Sequence, residues 1–310
     1  SGQGYAYLVI MKNKNAANAI AVLIPYLRAA AFIVLVIMLE IVHAKAWSYD
    51  ENGLAEDQFR LIEQSKQTRS EEKLIIGDSV ASQLFGNDKR FQNAYTMTGN
   101  CSATMGGYYL LLRNYIEANP QTKRIIMVIS PDLMANAADK DYSYQYYVVP
   151  YYTQENMQYI TEDVQEYIDY KYGAAATRCD PLKKIIYNDM FVLSQYRDYI
   201  TATRPKEREN MRISALSATY LRQIKQLCDD NSINLKVMCC PLQSNRIMRT
   251  WKGFEEDIER YGLQDILNGY SKNATYYDEK NFQDEYHFKD SFLKKGRPVI
   301  LKNLLERNGE

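Results

Sequence analysis

Short apolar runs alternate with helical segments from residue 73 onward, and this alternation limits the possible folds more than any other feature of the sequence. Four runs have the length and content of buried strands, and each stops at a glycine, a proline or a polar turn: 74–76, 94–97, 124–130 and 233–240. Helical periodicity between them is clearest at 108–118 and 212–227. A short strand at 276–278 and a closing helix at 291–306 complete the pattern. Such alternation predicts an α/β fold with a parallel sheet and helices on both faces.

A second feature is the apolar stretch that covers residues 19–47. A membrane span needs about 20 mostly apolar residues, and two frames satisfy this. In one, 19–39 crosses the bilayer and Arg28 lies inside it. In the other, 29–47 crosses and Arg28 marks the inner boundary. We favour the second frame, because an arginine at the bilayer centre costs roughly 2.5 kcal/mol or more.

The basic residues near this stretch predict its orientation. Lys12, Lys14 and Arg28 lie on its N-terminal side, so the positive-inside rule makes 1–18 a cytoplasmic tail and puts the bulk of the protein outside the cytoplasm. Two alternatives remain: a signal peptide cleaved at the A-x-A sequence of residues 44–46, after which the protein is secreted, and a buried core helix.

The rest of the 310-residue chain divides into a polar linker with an amphipathic helix at 48–71 and one domain at 72–310. Within that domain, 133–211 interrupts the strand–helix rhythm and contains many tyrosines, so we interpret it as an insertion. The formal net charge is zero, which excludes an electrostatic case for nucleic acid as a partner. No Cys-x-x-Cys or Cys–His spacing indicates a metal site, and we expect neither a metal nor a cofactor.

Chemistry-bearing residues collect at the predicted strand ends, because reactive groups of parallel sheets gather at the carboxyl edge. Gly77-Asp78-Ser79 follows the first strand. A serine hydroxyl becomes a good nucleophile when a base, usually a histidine oriented by a carboxylate, takes its proton. The chain has only two histidines, of which one lies in the apolar stretch, so His287 is the candidate base and Asp284, three residues earlier, its partner.

A tetrahedral oxyanion formed at the serine would need hydrogen-bond donors. The amide of Ser79, at the junction of strand and helix, is one candidate. The amide of Gly99, after the second strand, is another, since glycine lets the backbone approach a substrate closely. The side chain of Asn100 is a third.

These motifs, in this order, resemble the SGNH (GDSL-type) hydrolase superfamily over roughly residues 72–132 and 212–305. The resemblance implies a three-layer α/β/α sandwich with a parallel flavodoxin-like sheet. It also implies that Ser79 is the nucleophile, that Asp284 and His287 complete a catalytic triad, and that Gly99 is an oxyanion donor.

The third strand end departs from that family, which has Gly-x-Asn-Asp where this chain has Ile129-Ser130-Pro131-Asp132. The departure is similar to what is seen in membrane-anchored branches, which include the D-alanyl transfer proteins of teichoic acid and the alginate-type O-acetyltransferases. Those proteins are commonly partnered with a multi-spanning membrane O-acyltransferase. The resemblance therefore implies an esterase or O-acyltransferase that acts on cell-envelope or exported polysaccharide. The alternative is a catalytically inactive, glycan-binding or assembly subunit of such a system.

Overall fold

A computed structural model describes residues 22–39, 42, 54–99, 104–135, 151–162, 164–166, 211–245 and 251–310. Its strands are β1 (Lys73–Gly77), β2 (Lys89–Phe91), β3 (Ala94–Thr98), β4 (Arg124–Ile129), β5 (Asn234–Cys239), β6 (Leu242–Gln243) and β7 (Tyr276–Tyr277). The helices in these ranges include α1 (Val22–Leu39), α2 (Leu54–Ser65), α3 (Ser79–Phe85), α4 (Met105–Ala118), α5 (Pro131–Met134), α6 (Ala215–Asp230), α7 (Lys252–Tyr261) and α8 (Asp290–Asn308).

The central sheet has the strand order β2-β3-β1-β4-β5, and every neighbouring pair except β2–β3 is parallel. The four parallel strands lie in the order β3-β1-β4-β5. Renumbered one to four along the chain, they have the order 2-1-3-4, which is how the 2-1-3-4-5 order of flavodoxin-like sheets begins. Leu74, Ile75 and Ile76 of β1 are all buried, as expected of a central strand covered on both faces. The predicted α/β class is therefore confirmed, and the sheet, predicted to be parallel, is mostly so, since β2 is antiparallel.

The strand predicted at 276–278 lies outside this sheet. As β7 it pairs in parallel with β6, and these two form a separate small sheet. The sequence pattern did not predict β6 or β2, because strands of two or three residues carry no measurable periodicity. Helix α7 was also not predicted.

Helix α1 is long and apolar enough to be a membrane anchor or a signal sequence. Its 18 residues have a mean hydropathy of 2.4, and none of them is buried inside the protein, which argues against the core-helix alternative. Arg28 lies within this helix. Apart from Val42, the part of the second frame that follows Leu39 lies outside the described residues.

Part of the tyrosine-rich insertion packs into the domain. Tyr151 and Tyr152 are buried, and the Tyr151 hydroxyl donates a hydrogen bond of 2.8 Å to Gln58 of α2. Tyr159 lies against Arg113 of α4, whose guanidinium carbon is 3.5 Å from the ring centroid. These tyrosines therefore contribute to packing, and the other tyrosines of the insertion lie outside the described residues.

Gly77 ends β1 at a point where no side chain fits. A Cβ built on Gly77 overlaps the carbonyl oxygen of Val128 in the neighbouring strand β4 and lies 2.5 Å from the Cβ of Ala81 in α3. Glycine therefore allows the chain to leave β1 and enter α3 while both elements stay in contact with β4. This close approach places the start of α3 directly above the sheet edge.

We predict that Gly77→Ala lowers the free energy of unfolding by about 1–3 kcal/mol, because the new methyl group meets rigid backbone that must shift. Chemical denaturation followed by circular dichroism measures the change. Gly296→Ala is the matched control. Its Cβ would lie 3.4 Å from the Phe292 ring inside helix α8, so alanine is expected to be neutral or stabilising by up to about 1 kcal/mol. Equal effects of the two substitutions would contradict the steric explanation.

Candidate active site

Asp78 organises the turn between β1 and α3. One carboxylate oxygen, Oδ1, accepts hydrogen bonds from the amides of Val80 at 3.0 Å and Ala81 at 3.3 Å. The other, Oδ2, accepts from the amide of Ser130 at 2.9 Å, just after β4. Burial raises the pKa of Asp78, and the hydrogen bonds from Ser130, Ala81 and Val80 oppose that rise. The carboxylate thus joins the start of α3 to the end of β4.

This capping leaves one amide of the first helical turn available. The first four amides of a helix have no acceptor within the helix. Here those amides belong to residues 78–81: Val80 and Ala81 donate to the Asp78 side chain, and Asp78 donates to the Val128 carbonyl at 3.4 Å. In the described part of the chain, the amide of Ser79 has no acceptor. It is therefore free to donate to a ligand that approaches the Ser79 hydroxyl.

Ser79, His287 and Asp284 form a continuous chain of hydrogen bonds. His287 Nε2 lies 2.8 Å from Ser79 Oγ, and His287 Nδ1 lies 2.9 Å from Asp284 Oδ2 and 3.1 Å from Oδ1. An ionised carboxylate only accepts hydrogen bonds, so Nδ1 carries a proton, and in the neutral ring Nε2 then accepts from the serine hydroxyl. Three residues that the sequence nominated from opposite ends of the domain thus lie in the arrangement needed for proton transfer.

Backbone amides hold the Asp284 carboxylate in its ionised form. Its partial burial tends to raise the pKa, but hydrogen bonds from the amides of His287 and Tyr286, together with the His287 ring, lower the pKa below its ordinary value. Both amides donate to Oδ1 at 2.8 Å. The two-residue spacer between Asp284 and His287 makes these short-range bonds possible, and they orient the carboxylate toward the ring.

The loop that carries Asp284 and His287 is closed on itself and tied to the small sheet. Gln283 donates its amide to the His287 carbonyl at 2.8 Å. The side chain of Gln243, in β6, donates to the Asp284 carbonyl at 2.6 Å. Gln243 was not among the residues nominated from sequence, because no motif links it to a loop 41 positions later.

The predicted oxyanion donors have different surroundings. The Ser79 amide is available, as described above. The Gly99 amide donates to the Gly77 carbonyl at 3.2 Å and so extends the pairing of β3 with β1. A role of Gly99 as a donor to substrate would require this bond to open, and it stays a prediction. Asn100 lies outside the described residues.

The site is open to solvent. The side chains of His287 and Asp284 are 27% and 48% exposed. Ser79 is half-buried, at the carboxyl edge of the sheet between β1 and β4, which is the switch point where ligands bind in sheets of this topology. Among the described residues, no group of three or more His, Cys, Asp or Glu side chains could hold a metal ion.

Comparison with models of known protein families, with curated proteins and with solved structures found no match to this chain.

The lowered pKa of Asp284 predicts how Asp284→Asn changes stability with pH. Asparagine keeps an acceptor for the two amides but loses the charge. Because the folded-state pKa is depressed, the stability contributed by the charge is present above the unfolded pKa of about 3.9 and is lost as pH falls through the folded value. Near neutral pH the free energy of unfolding of the wild type should exceed that of the variant by less than about 1 kcal/mol, since solvent screens a half-exposed carboxylate.

Urea denaturation of both proteins between pH 7 and pH 3 measures this difference. It should be constant down to about pH 5 and shrink at lower pH. Added salt should reduce it at neutral pH. A difference that grows as the solution becomes more acidic would contradict the assignment.

Proposed function

We propose that the protein is a serine-dependent acyl-ester enzyme, in which Ser79 is the nucleophile, His287 the general base and acid, and Asp284 the residue that orients His287. The observation that carries this proposal is the unbroken hydrogen-bond chain from Ser79 Oγ through the His287 ring to the Asp284 carboxylate. Nucleophile, base and orienting group within hydrogen-bond reach are the geometric signature of covalent catalysis by serine.

In the proposed reaction, the Ser79 hydroxyl proton passes to His287 Nε2 as Ser79 Oγ bonds to the ester carbonyl carbon. The Asp284 carboxylate stabilises the imidazolium formed, and the free amide of Ser79 donates to the developing oxyanion. The imidazolium then returns the proton to the departing alkoxide, which leaves an acyl-Ser79 ester. Water or a sugar hydroxyl adds to that ester by the same steps in reverse, and Ser79 is restored.

Two features bear on the class of substrate: the openness of the site and the apolar helix α1. A half-exposed Asp284 and an accessible His287 leave room for a bulky acceptor, as a polymer chain would be. An apolar helix near the N-terminus suits an enzyme that works at a membrane. We therefore propose cell-envelope or exported polysaccharide as the substrate, an extracytoplasmic domain with the three-layer SGNH architecture, and a multi-spanning membrane O-acyltransferase as a partner.

One observation favours a second candidate, a catalytically inactive subunit of an acyltransferase system. The Gly99 amide is engaged within the sheet, and the Ser130 amide, at the strand end where the SGNH family has its asparagine, is taken by Asp78. Of the Ser79, Gly99 and Ser130 amides, only that of Ser79 is then available to stabilise an oxyanion. A site that positions a serine but stabilises its intermediate weakly would suit glycan binding or assembly.

A fluorophosphonate probe distinguishes these candidates, because it phosphonylates only an activated serine. We predict that the full-length protein in detergent is labelled, that Ser79→Ala abolishes labelling, and that His287→Ala slows it about a thousandfold or more. Ser82→Ala is the matched control: Ser82 lies three residues after Ser79 in α3, and its replacement keeps both the helix and the triad, so this variant should label like the wild type. Absence of labelling in a folded wild type would contradict the enzyme and favour the inactive subunit.

The anchor is tested separately from the chemistry. We predict that the protein stays in the membrane fraction after a carbonate wash, and that its intact mass still includes α1. Protease added outside the membrane should digest the domain that contains Ser79. A soluble protein whose mass corresponds to a chain that starts after Ala46 would instead establish the cleaved signal peptide.

A further inference from the structure

Gln83 lies on α3 one helical turn beyond Ser79. Residues four positions apart in a helix project from the same face, so both side chains are directed toward the loop that carries His287. Gln83 is half-buried and takes no part in the proton transfers of the proposed reaction. No motif in the sequence drew attention to it.

The carboxamide of Gln83 binds both backbone groups of Phe288, the residue that follows His287. Gln83 Nε2 donates to the Phe288 carbonyl at 2.8 Å, and the Phe288 amide donates to Gln83 Oε1 at 2.9 Å. The pair of bonds imitates one step of a β-ladder and joins positions 205 residues apart in sequence.

Phe288 is itself rigidly held. Its side chain is fully buried, and its ring stacks on Phe282 with centroids 4.3 Å apart. The rings of Tyr277 and Phe292 pack against it at 5.4 and 5.5 Å. Because the Phe288 backbone is held in place and His287 is the preceding residue, the position of α3 constrains the position of His287.

The other hydrogen bonds of the loop do not reach α3. Gln283 closes the loop on His287, and Gln243 ties Asp284 to β6. In the described part of the chain, the hydrogen bonds between α3 and this loop are the two made by Gln83 and the bond of Ser79 with His287. The loop's shape and its placement over Ser79 are therefore determined by different residues.

We propose that Gln83 is a positioning residue: its paired hydrogen bonds with the Phe288 backbone set the distance between Ser79 Oγ and His287 Nε2. This inference rests on the proposed function for its kinetic consequence, although its structural consequence can be measured without any reaction. A shift of about 1 Å in a reacting group can cost a hundredfold in rate, so loss of the pair should be visible in catalysis.

The test uses Gln83→Met, which keeps the length of the side chain and removes both hydrogen bonds, and Gln83→Glu, which keeps an acceptor for the Phe288 amide but has no N–H for its carbonyl. For Gln83→Met we expect kcat with p-nitrophenyl acetate, and the rate of fluorophosphonate labelling, to fall about 10- to 100-fold. KM should stay within about twofold, since Gln83 is not expected to touch the substrate. Gln83→Glu should lie between Gln83→Met and the wild type.

Gln165→Met is the matched control. The Gln165 side chain donates to the carbonyls of Met157 and Ile160 at 2.8 and 2.7 Å, so this substitution also removes two bonds from side chain to backbone, but within the insertion. It should lower thermal stability by a similar amount and leave kcat unchanged. If Gln165→Met reduces kcat as strongly as Gln83→Met, general destabilisation explains the result and the inference is wrong.

Nitrogen NMR of the full-length protein, with ¹⁵N-labelled histidine, tests the positioning without relying on activity. The chain has only two histidines, and a His43→Gln variant assigns the His287 signals. Gln83→Met should shift the Nε2 resonance of His287 as its bond with Ser79 lengthens, and Gln83→Glu should shift it less. An unchanged resonance in a folded Gln83→Met protein overturns the inference, and it does so whether or not the wild type reacts with the probe. If Gln83→Met shifts the resonance but the wild type is not labelled by the probe, only the proposed function is overturned.

Discussion

The arrangement around Ser79 depends on the buried carboxylate of Asp78. A carboxylate removed from water is costly unless hydrogen bonds replace its hydration, and here three backbone amides do so. Two of them belong to the first turn of α3 and the third to Ser130, so one side chain fixes the helix start against the end of β4. The same bonds occupy the neighbouring amides and leave that of Ser79 free. Gly77 complements this by allowing the close contact with β4 that a side chain would prevent.

The second half of the site is built differently. Asp284 and His287 lie on a partly exposed loop, where short-range hydrogen bonds rather than deep burial determine the geometry. Phe288 gives that loop a fixed point in the aromatic core. Ser79 at the sheet edge therefore faces a partly exposed histidine whose neighbour, Phe288, is buried.

Much of the fold could be predicted from the sequence, because buried strands and amphipathic helices of ordinary length leave clear periodic patterns. The four long strands were found within two residues of their predicted bounds. The short strands β2 and β6 were not, and the pattern at Tyr276 could not reveal that β7 leaves the main sheet to pair with β6. The availability of the Gly99 amide could not be judged either, since its acceptor, the Gly77 carbonyl, is a matter of strand pairing.

The sequence by itself determined the α/β class, the apolar helix near the N-terminus, and the identity of Ser79, Asp284 and His287 as the candidate residues. Residue type, order and the scarcity of histidine are local or compositional properties, and they can be read from the sequence without a structure. Only the tertiary structure decided that the three side chains meet at hydrogen-bond distance and that Gln83 joins their two segments. Contacts across 205 and 208 positions arise from how strands order themselves in the sheet and how the aromatic core packs, and no short sequence window contains that information.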